Sequence, residues 1–145
     1  VGLEEDIRTA LVAMSAVTAI VGRGSNARIR PDRFHEEDGT LPAILIEVDH
    51  EDPLTDLTGR GGRREGVVTI TCRASTRAAA RALAEAVRNN GTSPGTGLDG
   101  YGGSGTAFDS WCVGQTTAFV PKSDGSDHGY YDNILTYETT ASEAT

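Results

Sequence analysis

A chain of 145 residues, 37% hydrophobic and 23% charged, has the size and balance of one globular domain, which argues against two domains or a disordered protein. Its net charge of −8 and pI near 4.8 disfavour tight wrapping of nucleic acid, whose affinity comes mainly from Lys and Arg set against phosphates. No apolar run approaches the ~20 residues that span a bilayer, and the opening charges are Glu4, Glu5 and Asp6 instead of a basic signal-peptide start, so the chain reads as soluble, made in the cytoplasm and without a membrane partner.

Leu3, Ile7, Leu11 and Met14 form one helical stripe, and Glu4, Glu5 and Asp6 in the first turn complement the positive end of the helix dipole. Val17, Ile20 and Val21 suggest a further helical turn ending at Gly22. Arg23 to Leu41 reads as loop, with a short strand around Ile29 as an option. Pro42 to His50 alternates, placing Ile44, Ile46 and Val48 on one face and Leu45, Glu47 and Asp49 on the other. The polar connection from Asp52 to Gly66 is too long for a tight turn and is expected as extended strand ends or a projecting, flexible arm.

A second strand, Val67 to Ala74, turns Val68, Ile70, Cys72 and Ala74 inward. The strongest helix signal follows, Thr76 to Asn90, with Ser75 or Thr76 as N-cap and Gly91 placed to end it. Ala79, Ala80, Leu83, Ala86 and Val87 give it a shallow apolar face that suits close approach to a sheet. Residues 91–106 are rich in glycine and expected as a mobile loop. Phe108 to Val120 and Tyr130 to Glu138 read as an antiparallel pair joined by the turn-forming residues Pro121 to Asp127, and Thr139 to Thr145 as a fraying tail. The expected fold class is therefore α+β: an antiparallel four-stranded or slightly larger sheet with helices packed on one face, in the order α-β-β-α-β-β, as a single domain over 1–145.

Chemistry is sparse. Cys72 and Cys112 are too few for a disulfide framework or zinc ribbon and read as small buried side chains. His35, His50 and His128 are scattered with no partner at metal-ligand spacing. No nucleophile elbow, phosphate loop or dinucleotide fingerprint occurs, and the glycines from Gly95 to Gly105 carry no Lys or Arg for a phosphate. Asp124, Ser126 and Asp127 imitate part of a calcium loop but lack its final acidic residue, so a hairpin turn is the better reading. No catalytic residue, metal site or cofactor is expected.

Two features remain. Glu47, Asp49 and Glu51 alternate on one strand and form an acidic stripe: either a solvated strand face, or a surface that repels a passing polyanion or pairs with Arg of a neighbouring subunit. Arg60, Arg63 and Arg64 stand among glycines in the arm at 52–66, where they suit a partner-binding segment, a plain surface loop or, on weaker grounds, RNA binding. Twelve of the thirteen basic residues are Arg, and Lys122 is the sole Lys, a bias that fits carboxylate pairing at protein interfaces at least as well as phosphate binding.

The order of these segments resembles the tail-terminator, or tail-completion, proteins of long-tailed bacteriophages. The opening helix Leu3-Glu4-Glu5-Asp6-Ile7-Arg8-Thr9-Ala10-Leu11, the Val21-Gly22 end of the Ala/Val patch and Arg30-Pro31-Asp32-Arg33 carry the likeness in the first third. Leu41-Pro42-Ala43-Ile44, the run Val68 to Ala74, the helix end Ala82 to Arg88 and the closing Tyr130-Tyr131-Asp132 carry the rest. The glycine-rich stretch Gly91 to Gly105 departs from the family pattern. The resemblance implies a non-enzymatic virion protein that forms a ring, usually a hexamer, at the head-proximal end of the tail tube. It would bind the tail tube protein and stop tube growth, dock to the neck at a connector or stopper, and leave a channel through which DNA passes without tight binding. On that reading the acidic stripe lines the channel or the subunit seam, and the arginine arm reaches a neighbour or a tube subunit.

Overall fold

A computed structural model describes residues 3–22, 27–31, 42–56, 59–90, 97–102, 108–121 and 129–142. The first apolar stripe becomes α1 (Leu3–Val12), and the short patch after it is a separate helix, α2 (Ser15–Val21). Leu3, Ile7, Leu11, Val17 and Val21 are all buried, so both helices spend their apolar side on one core. A three-residue strand, β1 (Ile29–Pro31), then runs parallel to the start of β2 (Ala43–Asp56). β2 pairs antiparallel with β3 (Gly59–Ala74), and β3 leads into α3 (Arg77–Asn89). The chain closes with the antiparallel pair β4 (Phe108–Pro121) and β5 (Gly129–Ser142), and the sheet order is β1-β2-β3-β5-β4.

The expected sheet of four strands or slightly more has five, and its expected antiparallel character is corrected to a mixed one, with a parallel pair at one edge. Ala27 and Ile29 are buried beside the sheet, and Arg28 fixes the return: its Nε donates to the Pro42 carbonyl (2.8 Å) and its Nη2 to the Ile20 carbonyl (3.0 Å). One side chain therefore ties the end of α2 to the start of β2, something no local pattern around Ile29 announces.

One face of the sheet carries the core. Ile44 and Ile46 of β2, Val68, Ile70 and Cys72 of β3 and Leu135 and Tyr137 of β5 line up by register and are buried against residues of all three helices. Burying each large aliphatic side chain contributes about 1.5–3 kcal/mol. The helix α3 begins as expected, with Thr76 Oγ1 accepting from the Ala79 N–H at 3.1 Å. It ends at Asn89, and the cap is Asn90, one residue before Gly91: Asn90 takes the left-handed conformation (φ 48°), which Asn tolerates because its side chain is short and polar. That side chain accepts from the Ala16 N–H at 3.1 Å and pins the end of α3 to the first turn of α2.

Both long hairpins exceed their sequence signal. The connection expected as strand ends or an arm is strand, with residues 51–56 pairing back onto 59–66. Thr139 to Ser142, expected to fray, pairs with Arg63–Gly66 on one side and Phe108–Ser110 on the other; polar composition hid a segment held from both edges. Residues 143–145 lie outside the described residues, as do 122–128 of the expected β4–β5 turn.

Candidate assembly surfaces

The second face of the sheet carries none of the described helices, and pairs of side chains organise it. Arg73 of β3 grips Asp132 of β5 through two parallel hydrogen bonds, Nε to Oδ1 at 2.8 Å and Nη2 to Oδ2 at 3.0 Å. Only 7% of the Asp132 side chain is exposed, so this ion pair is held in a partly dry setting where the fork geometry matters. Tyr130 offers its ring 5.3 Å from the same guanidinium. Nearby, the Thr69 hydroxyl donates to Asp49 (2.7 Å) and the Trp111 indole N–H to Glu138 (3.0 Å).

The third surface is the outer edge of β4, and it has two halves. Along the first, residues 97–102 lie against the strand: the Gly100 N–H donates to the Ser110 carbonyl (3.0 Å), the Ser110 N–H to the Tyr101 carbonyl (2.8 Å) and the Cys112 N–H to Asp99 Oδ1 (3.1 Å). This part of the expected mobile loop is packed. Leu98 is buried, Tyr101 stacks on Phe108, and the Leu98 and Asp99 N–H groups bond the Val87 and Arg88 carbonyls at the end of α3. A Cβ at Gly97 would collide with the Arg88 carbonyl, so the close approach needs glycine there. The remainder of that loop, 91–96 and 103–107, lies outside the described residues.

Asp99 also takes a 2.8 Å hydrogen bond from Arg88 Nη2. Burial works to raise the Asp99 carboxyl, but the hydrogen bonds from Arg88 and the Cys112 N–H, with the guanidinium charge, outweigh it and hold it below the usual carboxylate range. The Arg88 guanidinium is pushed up in turn, first by that hydrogen bond. Elsewhere, burial drives the Cys72 thiol well above its ordinary range, with the Asp132 charge adding to it, so Cys72 is an inert core residue.

Past a bulge between Cys112 and Gly114, the second half of β4 is bare: every residue from Val113 to Phe119 is exposed, Val113 at 52% and Phe119 at 49%. A shallow cleft of about 180 Å³ opens beside it, lined by Arg77 and Ala80 of α3, Thr117 and Phe119 of β4, and Tyr131 and Asn133 of β5.

Of the residues singled out in the sequence, Glu47 and Asp49 are both exposed on β2. A bulge at Asp49 interrupts their alternation, because Glu47 pairs with Thr69 whereas Glu51 pairs with Gly66, a register position of opposite parity. Arg60, Arg63 and Arg64 stand on β3 where it pairs with the far end of β2; their side chains, like those of Glu51 and His50, lie outside the described residues, as do His35 and His128 altogether. The bare edge of β4 was missed. Its signal, Val113 to Phe119 without a charge, was in plain view but was absorbed into an ordinary strand assignment. Among the described residues no group of three His, Cys, Asp or Glu could hold a metal ion.

One covered sheet face, one face set with paired polar side chains and one open strand edge mark a small α+β domain. The model of the family described as tail completion protein gp17 matches residues 5–90, α1 through α3 and more than half of the chain, and the chain belongs to that family. It is a structural protein of a phage tail, located in the virion. No curated protein matches it in sequence. A chain of a solved structure described as the virion of a native gene transfer agent (GTA) particle shares its fold, with 21% identity, a TM-score of 0.57, and coverage of 97% of this chain and 94% of that one.

Proposed function

We propose that the protein closes head to tail into a ring, of six copies, that caps the tail tube at its head-proximal end, joins it to the neck and leaves a channel for DNA. The match of α1 through α3 to the tail completion family carries this reading, and the virion context of a protein with the same fold supports it. The work is geometric rather than catalytic: a rotation that closes makes a ring, and a closed ring ends polymerisation where an open one would continue as a filament. Partners on this reading are copies of the chain itself, the tail tube protein and a connector or stopper at the neck. Glu47 and Asp49 line the channel or the subunit seam, and the segment bearing Arg60, Arg63 and Arg64 reaches a neighbour or the tube.

A negative charge of −8 suits a channel that DNA must traverse without sticking, since fixed carboxylates repel phosphate and offer few counterion-releasing contacts. Electron microscopy of particles made without this gene tests the reading. Overlong tails are the expected result; unjoined heads beside tails of normal length would assign the protein to a head connector or stopper instead.

A further inference from the structure

An edge strand with unpaired backbone groups recruits another strand unless charge, proline or a covering segment prevents it. The sheet has two outer edges, and they differ. On one side β1 is three residues long, ends in Pro31 and pairs with β2 only at Ile44, Leu45 and Ile46. Beyond that pairing β2 carries Glu47, Asp49, Glu51, Asp52, Pro53 and Asp56 with no Lys or Arg, so charge and proline guard this edge. On the other side β4 is the last strand among the described residues, and residues 97–102 cover only its first half. From Val113 to Phe119 the sequence Val-Gly-Gln-Thr-Thr-Ala-Phe has no charge and no proline, and every residue is exposed.

The open stretch is complementary to a copy of itself. Ser110 and Cys112, whose side chains share the helix-side face, turn their N–H groups outward, where Tyr101 and Asp99 accept them. Side-chain face and hydrogen-bonding side alternate together along a strand, so past the bulge the outward N–H groups belong to Gln115, Thr117 and Phe119, which pair across β5 with Leu135, Asn133 and Tyr131. Thr116 is the midpoint of the stretch. Two copies laid antiparallel about it set Gln115 opposite Thr117, both bonding outward, and Val113 opposite Phe119. Val113 and Phe119, 52% and 49% exposed, are the two most exposed large apolar residues among those described, and this register pairs them at both ends of the seam. Charge does not oppose it. Arg81 and Arg88 on the neighbouring helix are paired within the chain with Glu85 and Asp99. Arg77 flanks Thr117 and Phe119, about two residues off the axis, so it and its mate stand roughly 13 Å apart along the strand, beyond the Debye length of about 8 Å at physiological salt.

We infer that the bare half of β4 pairs antiparallel with the same stretch of a second copy of this chain, about a two-fold axis at Thr116, so that two five-stranded sheets join into one of ten strands. The product is finite, because both outer edges of the joined sheet are then the guarded edges of β1 and β2, and addition stops at two copies. A two-fold contact uses the same patch on both copies whereas a ring contact is head to tail, so the pair stands apart from the ring reading and is the form of the chain before it is built into a particle. The edge also lies beyond residues 5–90 matched by the family model, so it is a feature of this chain's C-terminal hairpin.

Disulfide trapping in the full chain tests the inference. Thr116 meets its own copy at a position without outward hydrogen bonds, where opposed Cα atoms lie about 4.5 Å apart and a disulfide fits. Ala118, on the same face, stands roughly 13 Å from its mate along the strand. In a Cys112→Ser background under mild oxidation, Thr116→Cys should therefore form a bridged two-chain product about tenfold faster than Ala118→Cys. Light scattering of the unmodified chain should give twice the 15.2 kDa of one copy, and raising salt should not disperse it, since no attractive charge pair holds the seam. Thr117→Pro removes an outward N–H that β5 does not use, and should return the mass to one copy with an unchanged circular dichroism spectrum. Phe119→Thr, which leaves the backbone intact, should weaken pairing about tenfold. Absence of a bridge at Thr116, equal bridging at Thr116 and Ala118, or a single-copy mass at every concentration overturns the pair. A two-copy species that survives both Thr117→Pro and Phe119→Thr overturns β4 as its seam. Rings on supplied tail tubes without a Thr116 bridge overturn the pair and keep the ring, whereas a Thr116 bridge in a chain that never forms rings on those tubes keeps the pair and overturns the ring.

Discussion

The two faces of the sheet are made from the same strands and hold together by different means. On the covered face Ile44, Ile46, Val68, Ile70 and Leu135 have essentially no exposure, and their contribution is non-directional and proportional to area. On the bare face adjoining register positions carry Arg73 with Asp132, Thr69 with Asp49, and Trp111 with Glu138, whose geometry is fixed and whose outer side still meets solvent. The first face stabilises the fold and is finished within one copy. The second is ordered enough to present a fixed pattern and open enough to receive a neighbour, so substitutions on the two faces should separate stability from assembly.

The sharpest way to break that separation is Ile70→Ala at the centre of the covered face. Ile70 has no exposed surface and faces Ile46 and Leu135 across the register, so its truncation leaves a cavity that neighbours on two strands cannot fill. Chemical denaturation should show a loss of about 4 kcal/mol. A loss below about 1 kcal/mol would mean that the core is looser than the burial indicates. Asp132→Ala ranks second. It strips Arg73 of two charge-assisted hydrogen bonds on the bare face, and a cost of about 2–3 kcal/mol is expected in the same assay. Arg73→Ala in the Asp132→Ala background should then cost little more, a non-additivity that isolates the pair.

The covered face was largely legible in the sequence and the bare one was not. Ile44, Ile46 and Val48, then Val68, Ile70, Cys72 and Ala74, announce their strands by alternation, and Leu3, Ile7 and Leu11 announce α1, because burial demands apolar residues at a fixed period. Thr76 as a cap was equally readable, since the chemistry is local. What escaped depends on distant parts of the chain. The parallel pairing of the short strand at Ile29 needs β2 and the Arg28 tether, the strand at 139–142 needs residues 63–66 and 108–110, and the packed turn at 97–102 needs the carbonyls at the end of α3. The acidic stripe was half visible: Glu47 and Asp49 are exposed, but the bulge at Asp49 that shifts Glu51 by one register position is set by pairing with β3. The bare half of β4 could have been found by asking which uncharged strand lacks a flanking charge or proline.

A smaller effect probes where cover over β4 ends. Asp99 joins Arg88 of α3 to the Cys112 N–H of β4, and its carboxyl is held below the usual range in the folded protein. A carboxylate depressed on folding contributes stability above its unfolded pKa, and that contribution disappears as pH falls through the lower, folded value. Asp99→Asn keeps an oxygen for the Cys112 N–H but removes the charge opposite Arg88. Because both side chains are about a third exposed, the variant should be less stable than wild type by only about 0.5–1 kcal/mol near neutrality. The two proteins should converge in urea titrations carried to progressively lower pH, as the wild-type carboxyl takes up its proton. Amide exchange should locate the loss: Ser110 and Cys112 gain exchange in the variant, whereas Gln115, Thr117 and Phe119, already uncovered in a single copy, do not change. Equal stability at every pH, or faster exchange spread evenly along β4, would mean that Asp99 does not mark the boundary between the half of the strand that the chain closes for itself and the half it leaves open.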